Sequence, residues 1–524
     1  MPARYALVTA SVQSGTVEFS SPGFGTPVAA LFISSGVSTL SETKEDNVRF
    51  SIGFTDGTRQ NVSACSVQDG QTNNDSYKRS SDDELLMLLN PSGAGAVDGE
   101  ANFNAWVTDG LEITFGSSLA SAAYVSCLLV GGDDTEAYTA FADNGTGAVN
   151  VTAPGFTPTT VFAHSALHGT DDKAQTTDAA MGFGVASWDG TTVEQFCQMW
   201  SQLNRLITGP TTDIQHRLDT SYIIRDIDSG GTNGGWDLST FDASGFTIDR
   251  IGAAGAGGYY LAIRSSTPDD EIAGSQVLTD ATAPAEVGSS TVTTTEEVDL
   301  VVMMAGLNAA IDTTKTDSTA CCFSLGFAVR DPLTNEFDQV CHTFASKDNA
   351  GTSDCGSVTD QLASIKVLDD DGAQNGLETM VKVIEAPPLE LKYDYLTGSA
   401  AGSKILIYTN SAYKPWSYMG ALTLTEEYDS TREIGIGHVF DFKHKDRATG
   451  VVTAVKVSSD SLTTALSGSV RQLKRTETGT VIGDTDGFDT IVTDELSVYV
   501  SPEGDKIRIV DRASREAVFK EDIA

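Results

Sequence analysis

Met181–Trp200 reads MGFGVASWDGTTVEQFCQMW: an apolar run, a turn at Asp189-Gly190, and a second apolar run that carries Cys197. Two other stretches have the same form. Phe50–Ser66 is FSIGFTDGTRQNVSACS, and Phe323–Phe344 is FSLGFAVRDPLTNEFDQVCHTF. Each holds a Gly-Phe pair (Gly53-Phe54, Gly182-Phe183, Gly326-Phe327), then a turn, then a cysteine (Cys65, Cys197, Cys341). Apolar runs of this length, rich in β-branched and aromatic residues and broken by Asp and Gly, read as strands joined by tight turns. Self-similarity on this scale predicts one β-unit written three times.

Working outward, the flanking segments keep the same order. Ahead of the first copy, Tyr5–Val12 and Pro22-Gly23-Phe24 lead into Val28–Ser34; ahead of the second, Ala148–Thr152 and Pro154-Gly155-Phe156 lead into Thr160–Ala166. The third keeps the strands but has Glu296-Glu297-Val298 in place of Pro-Gly-Phe. After each cysteine come a polar loop, a strand (Leu85–Leu89, Tyr222–Ile227, Ala363–Leu368) and a Gly/Asp-rich turn. An alternating strand follows (Leu111–Phe115, Phe246–Ile251, Leu389–Tyr393), then a closing apolar one (Ala123–Val130, Tyr259–Ile263, Lys404–Tyr408). Alternation marks a strand with one face on a core.

The expectation is all-β, with three tandem sandwich or jelly-roll-like repeats of about eight strands each. Their bounds are 1–140, 141–275 and 276–412, followed by a smaller β-domain at 413–524. Val193–Leu206 reads as strand then loop, and Thr463–Leu466 as a helical turn.

The net charge is −39, from 72 acidic and 33 basic residues. A field of that sign repels nucleic acid and anionic membrane, which makes both poor partners and leads to the expectation of no nucleic acid and no membrane insertion. The charge is uneven. Residues 411–524 hold 14 basic and 19 acidic residues, leaving 19 and 53 for residues 1–410, so the balances are −5 and −34. The last segment is therefore the one suited to dock against an acidic neighbour. Three of the seven cysteines sit at the repeated strand position, one per copy, and read as small buried apolar residues in separate domains, with Cys341–Cys355 the one pairing to consider. That usage fits folding in a reducing cytoplasm. No apolar run reaches the length of a membrane span, and the N-terminus lacks the apolar core of a signal peptide.

Candidate chemistry is sparse. His164 and His168 are four apart and precede Asp171-Asp172, a metal pair on a helix, but the segment reads as strand and loop, where the rings diverge. His438, Asp441 and His444 lie along one strand, with the two histidines about 20 Å apart. Leu368–Gly376, LDDDGAQNG, has oxygen ligands but lacks a closing glutamate, and Asp226, Asp228 and Asn233 make a similar set. Both read as hairpin turns, and structural calcium is the one cofactor left open. The acidic pairs Asp82-Asp83, Asp133-Asp134, Asp171-Asp172 and Asp269-Asp270 mark solvated turns. There is no nucleophile elbow and no phosphate-cradling loop. Trp106, Trp188, Trp236 and Trp416 sit beside turns, as sugar-stacking rings do, although rings so placed also plug the ends of sandwiches. The expectation is a protein that is not an enzyme, with no catalytic, cofactor or metal residues.

The segments Thr55–Gly70 (TDGTRQNVSACSVQDG), Val107–Gly132 (VTDGLEITFGSSLASAAYVSCLLVGG) and Phe241–Ile263 (FDASGFTIDRIGAAGAGGYYLAI) carry a resemblance. They resemble a repeated β-domain of virion-associated structural proteins of tailed bacteriophages, of the marine phage and prophage type. The third copy departs most, and residues 413–524 lie outside the likeness. The resemblance implies a structural protein of head, neck or tail surface, or a decoration protein, that binds other virion proteins and forms homo-oligomers. It implies a virion location after assembly in the host cytoplasm, and no catalytic residues. The alternatives are a receptor- or glycan-binding tail fibre and, behind it, a polysaccharide-degrading tailspike. Residues 413–524 are the expected attachment domain.

Overall fold

A computed structural model describes most of residues 5–410 and, beyond them, ten strands between Ser417 and Asp522. Connecting stretches such as 189–191, 205–213, 265–278, 369–376 and 386–389 lie outside the description. The chain is all-β, as the pattern predicts, and the one helical turn among the described residues is Pro91–Gly93.

Contacts divide the chain into two compact units, Met1–Tyr413 and Lys414–Ala524. The first unit begins with eleven strands: β1 (Tyr5–Val12), β2 (Thr16–Ser20), β3 (Pro27–Ser34), β4 (Glu45–Asp46), β5 (Val48–Thr55), β6 (Gln60–Val67), β7 (Ser76–Ser81), β8 (Leu86–Asn90), β9 (Ala96–Val107), β10 (Gly110–Ser117) and β11 (Ala123–Gly131). Ten of them build two sheets, in the orders β1-β11-β3-β5-β6-β7 and β2-β10-β9-β8. The next eleven, β12 to β22 (Glu136 to Arg264), and then β23 to β33 (Thr279 to Asn410), give the same two orders again. Eleven strands replace the expected eight or so, because β7 falls in the polar loop after the cysteine and β4 is only two residues long.

The two-residue strand is what joins the sandwiches. β4 does not pair within its own sandwich; it extends the large sheet of the third, where Glu45 faces Ser357. Its counterpart in the second sandwich, β15 (Thr176–Thr177), extends the sheet of the first, opposite Lys78 and Tyr77. The third sandwich lends β26 (Lys315–Thr316) to the second, opposite His216 and Gln215. Donation thus runs 2 to 1, 3 to 2 and 1 to 3, a closed ring with pseudo-threefold order. Each donated strand covers a sheet edge that would otherwise offer unpaired backbone groups.

Burial follows the same plan. Each sandwich has a core between its own two sheets, around Phe19 and Phe32 in the first, Trp236 and Phe246 in the second, and Tyr393 and Val381 in the third. A further core is shared by all three and includes Phe50, Cys65, Met181, Trp200, Phe323 and Phe344. The large sheets are therefore apolar on both faces, which is why β16 (Ala179–Trp188) and β27 (Cys321–Arg330) are almost continuously apolar.

Register corrects the equivalences drawn from the cysteines. Gly53 faces Val62, Gly184 faces Cys197, and Gly326 faces Cys341. Gly184, not Gly182, is thus the counterpart of Gly53 and Gly326, and Cys65 lies three residues beyond the position of Cys197 and Cys341. The true counterparts of Cys65 are Trp200 and Phe344, each opposite Phe50, Met181 or Phe323. Nor are the cysteines confined to separate domains, because Cys65, Cys321 and Cys355 line the shared core.

The second unit has a six-stranded sheet in sequential order, from Phe440–Lys445 to Gly487–Val492, and a four-stranded sheet of Ser417–Tyr418, Leu496–Val500, Lys506–Asp511 and Ala517–Asp522. Thr463–Leu466, expected as a helical turn, lies inside the strand Ser461–Leu466. No helix among the described residues is long and apolar enough to cross a membrane.

Candidate functional site

The densest chemistry in the molecule lies where the three sandwiches meet. Side chains of alternate residues on β6, β17 (Val193–Gln202) and β28 (Phe337–Lys347) line this region in layers. One layer is aromatic: Phe50 lies 5.0 Å from Phe344 and 5.3 Å from Phe323, and Trp200 lies 4.8 Å from Phe344 between ring centroids. Here the small Cys65 is offset by the large Trp200, so the layer fills by complementary volumes and not by identical residues.

The next layer is polar and holds Ser63, Gln198 and His342 at equivalent register. His342, on the third sandwich, is fully buried. Its Nε2 is 2.8 Å from Ser126 Oγ of the first sandwich, and its Nδ1 is 3.0 Å from Thr359 Oγ1. His164 on β14 (Thr160–Ser165) reaches from the second sandwich to the first, with Nε2 2.9 Å from Asn61 Oδ1 and Nδ1 2.9 Å from Ser63 Oγ. At the junction of the second and third, His216 Nε2 lies 2.9 Å from Gln198 Nε2. Gly306 leaves room for this ring, since a Cβ there would sit 2.1 Å from Cε1. A fourth set joins all three sandwiches. Asn410 accepts from Tyr5 of the first sandwich at 3.2 Å and donates to Thr160 of the second at 3.2 Å and to Tyr408 of the third at 2.7 Å.

His164, His216 and His342 are thus structural. His164 and His168 do not converge on a metal, because both ring nitrogens of His164 are committed to the neighbouring sandwich. Burial lowers the pKa of His164 and of His342 to about 3, so both rings are neutral in the fold. In the unfolded chain they titrate near 6.5, so their contribution is present above that pH and is lost as pH falls towards the folded value. From this shift each histidine is expected to cost about 2 kcal/mol of stability at pH 5 relative to pH 7. Urea midpoints at the two pH values measure this, and His342→Gln should flatten the dependence; an unchanged dependence would contradict the assignment.

The other candidates separate on inspection. Asp82, Asp83 and Asp172 bring carboxylate oxygens within 4.8 Å of one another across the first and second sandwiches, all three exposed. Partial burial and then Asp171 raise the Asp82 carboxyl, while Asp171 itself accepts from the Tyr259 hydroxyl at 2.7 Å. An acidic surface cluster of this kind is common without an ion. Asp226 is buried on β19 (Ile224–Asp228); the side chains of Asp228 and Asn233, the run Asp369–Gly376, the pairs Asp133-Asp134 and Asp269-Asp270, His438 and Trp416 lie outside the described residues. Asp441 and His444 lie three residues apart on the strand Phe440–Lys445, and their side chains lie outside the described residues. Trp236 is buried, Trp188 stacks on Phe241 at 6.3 Å, and Trp106 packs edge-on against Phe103 at 4.7 Å, so these three rings serve packing. Cys355 faces Ser346, five residues along the strand from Cys341. That is about 17 Å, far beyond disulfide reach. All seven cysteines are buried thiols outside any disulfide.

No family model matches the chain, and no curated protein matches it.

Two copies carry one more buried group. Lys366 forms an ion pair with Asp360 beside Cys341, and in the second sandwich Asp219 pairs with Arg217 at 2.5 Å and Arg225 at 3.9 Å beside Cys197. The first sandwich has Ser81 and Met87 at these places, both buried. Burial and then Asp360 push the Cys341 thiol up to about 12, so it is no nucleophile. What the arrangement does is hold three sandwiches in one body.

Proposed function

We propose that this chain is a structural component of a tailed-phage particle, on the surface of head, neck or tail or as a decoration, and that it works by binding proteins and not by catalysis. The observation that supports this reading most is the closed exchange of strands. Three sandwiches each commit one edge and one face of the large sheet to their neighbours, which yields a stiff body whose free variation lies in its loops. The strongly acidic surface keeps such a body soluble at high copy number and discourages contact with nucleic acid. Its partners in this reading are other virion proteins and further copies of itself, with no cofactor and a virion location after assembly in the host cytoplasm. The less acidic residues 413–524 are the attachment module.

Particles imaged with the protein labelled test the reading. The label should decorate the particle at regular positions, and a chain ending at residue 413 should fold yet fail to join it. Label absent from purified particles would overturn the proposal. Binding to host surface glycans on an array would replace it with the tail-fibre reading.

A further inference from the structure

Hydrogen bonds between the sandwiches follow a cyclic rule that breaks at one place. Ser76, Ile214 and Cys355 occupy equivalent positions, opposite Val67, Gln202 and Ser346 respectively. Ser76 Oγ of the first sandwich donates to the main-chain oxygen of Gln202 in the second at 3.1 Å. Cys355 Sγ of the third donates to the main-chain oxygen of Val67 in the first at 3.5 Å. The remaining member of the cycle would run from residue 214 of the second sandwich to residue 346 of the third. Ile214 has no donor, so that junction lacks the bond the other two have.

Three polar side chains at or next to this register have atoms without a protein partner. Gln202 stands beside Ile214, is fully buried, and has neither its amide oxygen nor its amide nitrogen bonded within the protein. Trp200 Nε1, two residues along the same face, and Ser346 Oγ, from the facing sandwich, are likewise buried without a protein partner. The layer is also built of small side chains. Val48, Val67, Ala179, Gln202, Cys321 and Ser346 carry fewer than half the side-chain atoms of Phe50, Cys65, Met181, Trp200, Phe323 and Phe344, the layer next to it on the same six strands. A buried amide left with nothing to bond is costly, and native interiors satisfy such groups with ordered water when the space is polar and large enough.

We infer that the junction of the second and third sandwiches holds an internal water site, in which Gln202, Trp200 Nε1 and Ser346 Oγ bind one or more ordered waters that supply the missing member of the cycle. The donor set is neutral, which suits water rather than an ion. The guest is then part of the seam that closes the ring, and Gln202 and Ser346 are coupled through it although they belong to different sandwiches.

Thermodynamic coupling in the full-length protein tests this. Gln202→Met keeps the shape and removes both amide atoms. It should lower the folding equilibrium constant about tenfold, the usual cost of orphaned buried groups. Ser346→Ala should cost clearly less in the Gln202→Met background than in the wild type. Additive effects, or a Gln202→Met variant as stable as the wild type or more so, would overturn the site. If Gln202→Met does not fold, a high-resolution density map of the wild type decides the matter. A peak within hydrogen-bond distance of Gln202 and Ser346 supports the site, and its absence overturns it.

Discussion

Lys366→Met alone is expected to destabilise the protein by about 3–5 kcal/mol, and adding Asp360→Ser to recover most of that loss. The reason lies in the asymmetry of buried charge. Lys366 and Asp360 are both nearly inaccessible and pair with each other. Removing the ammonium strands a carboxylate in a medium that solvates it poorly, whereas removing both charges leaves only packing to satisfy. The protein contains its own control, since Met87 and Ser81 occupy the equivalent places in the first sandwich. Urea midpoints of the two variants measure the effect. A double variant as unstable as the single one would mean that the pair does more than neutralise itself, contrary to this account.

Gly326→Ala should be comparably severe, on the order of 3 kcal/mol, because overpacking here has no side chain to push aside. A Cβ at residue 326 would sit 1.6 Å from the main-chain oxygen of Ser364. The same approach recurs at Gly184, 1.7 Å from the oxygen of Ile223, and at Gly53, 1.9 Å from that of Leu85. In each sandwich the segment leading from the large sheet to the small one crosses directly over this glycine. The position needs glycine for close approach of backbone to backbone, not for an unusual φ.

The strand content, the threefold recurrence and the placement of most strands were legible in the sequence, because period-two alternation and Asp/Gly turns act over a few residues. The seam between the sandwiches was not. Its core is made of residues that match in volume as a set but not in type, such as Cys65, Trp200 and Phe344, so comparing the copies by letter aligned the cysteines and missed the true counterparts. Gly184 was hidden the same way, because Gly182 offered a better-looking Gly-Phe pair two residues early. One signal was available. Gly53, Gly184 and Gly326 each stand four residues after Arg49, Ala180 and Cys322, in runs too apolar for a sheet with one wet face. Runs of that kind imply a second partner on the other side. The donated two-residue strands β4, β15 and β26 carry no pattern at all, being too short for periodicity. His164 looked like half of a metal pair because its spacing from His168 could be read, while Asn61 and Ser63, its partners, are about a hundred residues away.

If the three sandwiches are one closed body, damage to one must loosen all. Amide hydrogen exchange of the full-length Gly326→Ala variant, followed strand by strand, tests this most directly. The ring predicts that protection falls together in β5, β16 and β27, although the substitution lies in the third sandwich alone. Loss of protection confined to residues 276–412, with β5 and β16 unchanged, would contradict it.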